Sequence, residues 1–289
     1  MSEIDYATLK KGGFMRQRQQ NRFSLRLRII GGQVTAEKLR KISEVAEKYG
    51  HGYVHMTSRQ GIEIPFIDFD DIDAVKDELA LVELQPGACG PRVRTVTACQ
   101  GADICPSGLI ETSRLAEEVD LRYFGRALPH KFKIGITGCK NNCLKAEEND
   151  IGIKGGALPA WAAGKCTFCG LCTAVCPTKA IAESSQTLTL LNEKCIYCGK
   201  CAKSCPADAW SGQAGYILSF GGTFGNEIRA GTPLLPIIFS KAQMFAVIDA
   251  AVAFYDEYGK AGERFAKTIE RTGAELLRGR LEREIPARV

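Results

Sequence analysis

Two short cysteine runs constrain this chain more than any other feature. Residues 166–177 read Cys-Thr-Phe-Cys-Gly-Leu-Cys-Thr-Ala-Val-Cys-Pro, and residues 195–206 read Cys-Ile-Tyr-Cys-Gly-Lys-Cys-Ala-Lys-Ser-Cys-Pro. Both follow C-x2-C-x2-C-x3-C-P, and the second begins 29 residues after the first. Three cysteines on a tight loop can grip three corners of an iron–sulfur cube, while the fourth is carried off by the next turn to the neighbouring cube. That logic assigns Cys166, Cys169, Cys172 and Cys205 to one [4Fe-4S] centre, and Cys195, Cys198, Cys201 and Cys176 to another. Zinc also takes four thiolates, but from CxxC pairs rather than from two runs of four ending in proline.

The chain has 13 cysteines in 289 residues. An odd count, with no apolar export segment in Met1 to Gly13, points to reduced or metal-bound thiols and a cytoplasmic protein rather than a disulfide framework. The longest apolar stretches are Pro233 to Phe239 and Phe245 to Tyr255, the latter broken by Asp249, so no membrane span is expected. Hydrophobic residues at 45% and charged residues at 25% describe a globular chain, long enough for roughly two domains. Residues 6–36 carry seven Lys or Arg and no Asp or Glu, which would suit phosphates. The segment has few interleaved aromatics and ends in a regular strand, so no nucleic acid is expected.

A third set of cysteines lies upstream. Cys99 and Cys105 form C-x5-C, and Cys139 and Cys143 form C-x3-C, with Cys139 lying 34 residues after Cys105. Four thiolates on two loops suit a [4Fe-4S] cluster or a zinc ion, and spacing alone leaves both open. Cys89 is left over and reads as a small buried hydrophobe.

The first two runs have the spacing of bacterial two-cluster ferredoxins. The C-x5-C and G-C-x3-C pairs resemble the signature of siroheme-containing sulfite and nitrite reductases. The resemblance continues in Leu25-Arg26-Leu27-Arg28 with Gly31-Gly32, in His55-Met56-Thr57-Ser58-Arg59-Gln60, in Leu128-Pro129-His130-Lys131-Phe132-Lys133, and in Tyr216 to Gly222. It covers nearly the whole chain. With a ferredoxin unit inserted in the haem domain, the order of parts is most similar to the small catalytic subunit of anaerobic sulfite reductase and to dissimilatory-type relatives. Departures from the family pattern are Lys140 after Cys139 in place of Pro, Glu63 in place of a second Gln, His130 in place of Arg, and Ile30 in place of Pro.

The resemblance implies siroheme and three [4Fe-4S] clusters. Cys99, Cys105, Cys139 and Cys143 would hold the cluster next to siroheme, and Cys143 would bridge to its iron. Arg26, Arg59, Lys131 and Lys133 would line the distal face of that iron, bind substrate oxygens and help deliver protons. Gln60, Arg92 and Arg94 would grip the tetrapyrrole. The implied activity is six-electron reduction of sulfite to sulfide, with electrons relayed through the insert. Nitrite reduction to ammonia is the alternative within the enzyme class, and a non-catalytic electron-transfer subunit is the alternative outside it. An electron-donor protein is implied as partner, as is a homodimer with composite sites in which Lys131 and Lys133 act on the partner's siroheme.

Patterning agrees with a cationic surface. Residues 22–30 alternate, so Arg26 and Arg28 share a strand face; in 131–137, Lys131, Lys133 and Thr137 oppose Phe132, Ile134 and Ile136. Arg92 and Arg94 repeat the pattern ahead of Cys99. Each strand alone reads as amphipathic with solvated charges, but three paired cations together suit a polycarboxylate macrocycle and an oxyanion.

The expected fold class is α+β, a sulfite reductase-type half with an inserted two-cluster ferredoxin. It divides into a ferredoxin-like N-terminal half domain (1–85), the first part of the siroheme and 4Fe-4S domain (86–156), the insert (157–213), and the second part of the siroheme domain with C-terminal helices (214–289). Thr35 is expected to cap a helix over 36–49, with Leu39, Ile42, Ala46 and Tyr49 in one stripe and Gly50 as the stop. Further helices are expected at 71–83, 108–124, 240–258 and 261–281, and strands at 53–56, 61–66, 92–98, 131–137, 151–153 and 215–220. The Gly-, Ala- and Pro-rich stretch 155–164 reads as a linker.

Overall fold

The computed structural model describes residues 4–285, so the ends of the two outer expected units, 1–3 and 286–289, lie outside the described residues. The N-terminal layer starts with helix α1 (Tyr6–Lys11), capped by Asp5, and strand β1 (Phe14–Arg16). Strand β2 (Arg22–Arg26) alternates as its sequence requires, with Phe23 and Leu25 buried between part-exposed Arg22, Ser24 and Arg26. It is shorter than expected. After Arg26 the chain leaves the ladder, Leu27 bridges Pro86, and Ile30–Gly32 form a tight turn in which Gly31 and Gly32 take φ of 60° and 73°.

Helix α2 (Ala36–Tyr49) runs from cap Thr35, whose Oγ1 accepts the Lys38 N–H at 3.2 Å, to Gly50. Its buried stripe is Ile42, Val45 and Ala46, while Leu39 is 49% exposed, so the apolar face is rotated from the expected one. Strands β3 (His55–Met56) and β4 (Ile62–Asp68) complete an antiparallel sheet of order β1-β2-β4-β3, and helix α3 (Ile72–Ala80) follows. These elements enclose one apolar core around Phe14, Phe23, Ile42, Ile64 and Val75.

The second sheet has order β11-β10-β7-β6-β5. Strand β5 is only Thr97–Ala98, preceded by isolated bridges at Arg92 and Val93, and helix α4 (Ser113–Tyr123) starts five residues later than expected. Strand β6 (Ile134–Thr137) is buried throughout, so Thr137 does not share a cationic face with Lys131 and Lys133 as its period suggested. The reason is position: β6 lies between β5 and β7 and is covered on both faces.

Strand β7 (Ile151–Trp161) overturns the linker reading of 155–164. It is an 11-residue strand, buried along most of its length. Its glycines serve close approach rather than flexibility: a Cβ on Gly152 would sit 2.5 Å from the Ala146 carbonyl, and one on Gly155 would collide with the Gly138 carbonyl. Between β7 and its antiparallel partner lie short helix α5 (Leu171–Val175), hairpin β8 (Ile181–Ser184) and β9 (Thr187–Leu190), and helix α6 (Lys200–Ser204). This segment has its own small core of Cys172, Ile181, Leu188, Cys201 and Trp210.

Strand β10 (Trp210–Phe220) then returns along β7, pairing Trp210 with Trp161 and Phe220 with Ile151. Strand β11 (Thr232–Pro233) ends the sheet. Helix α7 (Lys241–Tyr258), capped by Ser240, buries Met244, Val247, Ile248, Ala251, Val252 and Tyr255, the stripe its sequence announces. The expected last helix is two, α8 (Phe265–Thr272) and α9 (Ala274–Glu282), because Gly273 at φ 90° interrupts the ladder. Among the described residues no helix is long and apolar enough to cross a membrane.

Gly155→Ala is expected to lower stability by about 1–3 kcal/mol through overpacking against Gly138. Gly164→Ala, where an added Cβ meets nothing within 4 Å, is expected to leave the urea midpoint unchanged. Equal effects would contradict the close-approach reading.

Candidate functional site

A cavity of about 270 Å³ opens between the two sheets. The N-terminal layer contributes Arg26, Thr57, Ser58 and Arg59 to its wall, and the second layer contributes Arg94, Thr95, Lys131 and Lys133. All four cations expected at a catalytic face therefore meet in one place, together with Arg94.

The cations differ in how they are compensated. Arg26 gives its Nε to Glu63 at 2.8 Å and its Nη1 to the Cys89 sulfur at 3.5 Å. Glu63, a departure from the family pattern, thus offsets Arg26, and Cys89 is a buried hydrogen-bond acceptor rather than a plain hydrophobe. Arg59 donates to Asn149 Oδ1 at 2.8 Å and to the Thr95 carbonyl at 3.1 Å. Its guanidinium is surrounded by protein, and burial pulls its pKa down to about 10. Arg94 donates to the carbonyls of Ala88 and Gly90, and among the described residues its buried Nε has no hydrogen-bond acceptor. Burial, then Arg264 and Arg94, push the Lys131 pKa down. Lys133 falls to about 8 through burial and the nearby charges of Arg59 and Arg264. Among the described residues Arg59, Arg94, Lys131 and Lys133 form no ion pair, so the cavity holds concentrated, unmatched positive charge.

Behind the lysines stands a group that sequence reasoning missed. Asp150 is fully buried, accepts the Lys133 backbone N–H at 2.8 Å, and accepts Arg264 Nη2 at 3.0 Å on each oxygen. Burial raises its pKa and Arg264 opposes that shift. Arg264 precedes α8 and reads in sequence as one more surface arginine, since no local pattern ties it to a residue 114 positions earlier.

Three expected tetrapyrrole contacts fall apart in space. Arg94 is at the cavity, whereas Gln60 clasps the backbone of Ala98, accepting its N–H at 2.9 Å and donating to its carbonyl at 2.8 Å. Arg92 is not on the cavity wall. Arg28, which shares the alternation of Arg26, pairs instead with fully buried Asp120.

Cys99 directly follows the clasped Ala98. Its sulfur accepts the Gly138 N–H at 3.0 Å. The Cys139 thiol is pushed up by burial and by the proximity of Cys105, Cys143 and Cys99, so the two loops bring the four thiols together. Cys143 is exposed while the other three are half-buried. Asn142, in the left-handed region at φ 53°, shapes this loop by donating to Glu147 at 3.1 Å, and Glu147 pairs with buried Lys154 of β7.

The two downstream runs are near copies. Phe168 and Tyr197 have φ of 53° and 54°, and Gly170 and Gly199 have φ of 73° and 69°. Cys176 and Cys205 accept the N–H of Ala180 and Ala209 respectively, each at 3.2 Å. Cys166, Cys169, Cys172 and Cys205 line one small cavity together. The Cys195 thiol is raised by burial and by neighbouring Cys198 and Cys176. Each run's fourth cysteine thus stands with cysteines of the other run.

Asp150→Asn removes the negative charge that favours the Lys133 ammonium, so the Lys133 titration midpoint is expected to move below its starting value of about 8. Lysine-selective NMR titration reads this, and an unchanged midpoint would remove Asp150 from the electrostatics of the site.

Residues 89–288 match the family described as "Nitrite and sulphite reductase 4Fe-4S domain", and residues 15–82 match "Nitrite/Sulfite reductase ferredoxin-like half domain". The chain is 35% identical over 272 residues to the coenzyme F420-dependent sulfite reductase of Methanocaldococcus jannaschii, covering 93% of this chain and 43% of that one. It is 32% identical over 169 residues to a subunit of the anaerobic sulfite reductase of Salmonella typhimurium, covering 54% of this chain and 50% of the relative. The chain thus spans about half the length of these relatives. The crystal structure of dissimilatory sulfite reductase I superposes with a TM-score of 0.74 at 20% identity, over 93% of this chain and 72% of the other. The fold is accordingly the mixed α+β fold of these reductases, with a ferredoxin-like half domain. Since the two family matches together span 15–82 and 89–288, the chain belongs to the nitrite and sulphite reductase family.

Proposed function

We propose that the chain reduces sulfite to sulfide with siroheme and [4Fe-4S] clusters. The observation that carries this reading is the unmatched charge of Arg59, Arg94, Lys131 and Lys133 in one cavity, tied to the Cys99 loop by the clasp of Gln60 on Ala98. Such charge is costly to bury without an anion to receive it.

The donor set fits the cofactors. Four neighbouring thiols with an N–H to sulfur bond suit a cluster. Exposed Cys143 is open to a further metal ligand, and the orphaned Nε of Arg94 suits a carboxylate. When bound, siroheme and its cluster would provide the iron centre and relay to it the electrons that an external donor must supply. Arg59, fixed by Asn149 and Thr95, presents a rigid cation to an oxyanion. Lys131 and Lys133 add charge, and Lys133 Nζ, titrating near 8, can give up a proton under physiological conditions. Arg26, its charge offset by Glu63, acts more as a steric and hydrogen-bonding wall.

The eight downstream cysteines would hold two further clusters, forming an inserted ferredoxin-like unit within 157–213, between domain parts 86–156 and 214–289. That arrangement implies an external electron donor. A homodimer with composite sites belongs to the proposal, as does a cytoplasmic location. Nitrite, also named in the family's description, is the competing substrate.

The deciding test is an anaerobic visible spectrum with iron and acid-labile sulfide counts. Tetrapyrrole bands that shift with sulfite, and iron equal to three [4Fe-4S] clusters plus one haem, are expected. Iron–sulfur absorption alone would favour the electron-transfer reading. Parallel assays with sulfite and nitrite decide the substrate.

Two further outcomes follow from the charge arrangement. Sulfite affinity should weaken as pH rises through about 8, where Lys133 loses its proton. Lys133→Met should cost about 1.5–3 kcal/mol of anion binding and abolish that pH limb.

A further inference from the structure

We infer that the two cysteine sites of the insert are unequal: the Cys195, Cys198, Cys201 and Cys176 site is the inner one, latched onto the core by Lys203, and the Cys166, Cys169, Cys172 and Cys205 site is the outer one. This deepens the proposed function and rests on its reading of both sets as cluster sites.

One contact holds the second run to β7, and two more join it to the Cys99 to Cys143 region. The Ala157 N–H of β7 donates to the Tyr197 carbonyl at 2.8 Å, and Ala157 bridges Cys198. Gly199 presses against the same strand and loop: a Cβ there would lie 3.1 Å from Ala157 Cβ and 3.5 Å from Leu109 Cδ2. Leu109 in turn donates its N–H at 2.8 Å to the carbonyl of Gly138, the residue before Cys139. Finally, Lys203 of α6 donates from Nζ to the Pro106 carbonyl at 2.9 Å and to the Gly108 carbonyl at 3.4 Å. Pro106 follows Cys105 directly. The second run therefore grips the 106–109 loop, which follows Cys105 directly and is itself bonded through Leu109 to the residue before Cys139.

The first run faces elsewhere. Its cavity is closed by Leu188, Glu183 and Trp210, and Phe168 stands edge-on to Trp161 at the tip of the β7–β10 ribbon. Cys169 is exposed and Leu171 is 40% exposed. A reduced one-electron carrier can approach this end, whereas the other end is packed on the core. Each transfer moves one electron between sites with no bond made or broken, the carrier being oxidised and the core site reduced. Lys203 is a positioning residue: it fixes the gap between sites without touching a thiol.

The test is electron paramagnetic resonance of the full-length, anaerobically reconstituted and fully reduced protein. Cys169→Ala, which removes the outer site, should keep the spin–spin splitting between the remaining insert cluster and the core cluster; Cys198→Ala should lose it. Lys203→Met should keep the wild-type iron and sulfide content but show reduced splitting and slower reduction of the core cluster after mixing with reduced ferredoxin. Lys200→Met on the same helix should behave as wild type. Splitting lost in Cys169→Ala and kept in Cys198→Ala would reverse the order and overturn the inference while leaving the proposed function standing. Because cysteine variants can misfold the insert, Lys203→Met supplies the second arm, and unchanged splitting and rate there would overturn the latch. Wild-type iron equal to only one cluster plus haem would overturn both this inference and the cluster reading beneath it.

Discussion

The antiparallel ladder of β7 and β10 is the constraint on which the other parts depend. Along β7, roughly 3.3 Å per residue, each functional region finds its attachment in turn. Asp150, just before the strand, anchors Lys133 and Arg264. Lys154 holds Glu147, which shapes the loop between Cys139 and Cys143. Gly155 admits Gly138, and Ala157 receives the second cysteine run. Trp161 and Trp210 close the ribbon at the insert. A cationic cavity, a four-thiol set and an eight-cysteine segment are thus strung along one strand, which fixes their order and spacing.

Charge is sorted around this axis with equal consequence. Arg26 and Arg28 come from the same stretch of chain, yet each meets a carboxylate, Glu63 or Asp120, and is spent on structure. Among the described residues Arg59, Arg94, Lys131 and Lys133 meet none. Fully buried Asp150, near them, is satisfied mainly by Arg264. Burial first, and then the neighbouring cations, depress the pKa values of Lys131, Lys133 and Arg59, and an arrangement that costs stability when empty is suited to binding an anion.

Legibility in the sequence followed the range of the interactions. The kinship of the two cysteine runs could be read because each run is a local object: spacing, left-handed Phe168 and Tyr197, and the two glycines all lie within a few residues. Helices α2 and α7 were readable for the same reason, α2 from its cap at Thr35 and both from a 3.6-residue period. The basic pairs were readable as residues but not as a site. Alternation put Arg26 with Arg28 and Arg92 with Arg94, whereas the cavity takes one of each pair.

Composition misled where its meaning depends on distant partners. Gly155 and Gly156 look like the start of a linker in isolation, but they belong to a buried strand because Gly138 and Ile217 occupy the space their side chains would fill. The clasp of Gln60 on Ala98 and the pairing of Arg264 with Asp150 are likewise contacts that no local pattern announces. By itself the sequence determined the paired cysteine motifs, the helices α2 and α7 and the supply of cations, since these rest on spacing within a few residues. Only the tertiary structure decided which cations stay unmatched, which glycines are packed, and which cysteine run faces the core, because each depends on contacts across many tens of residues that no local pattern encodes.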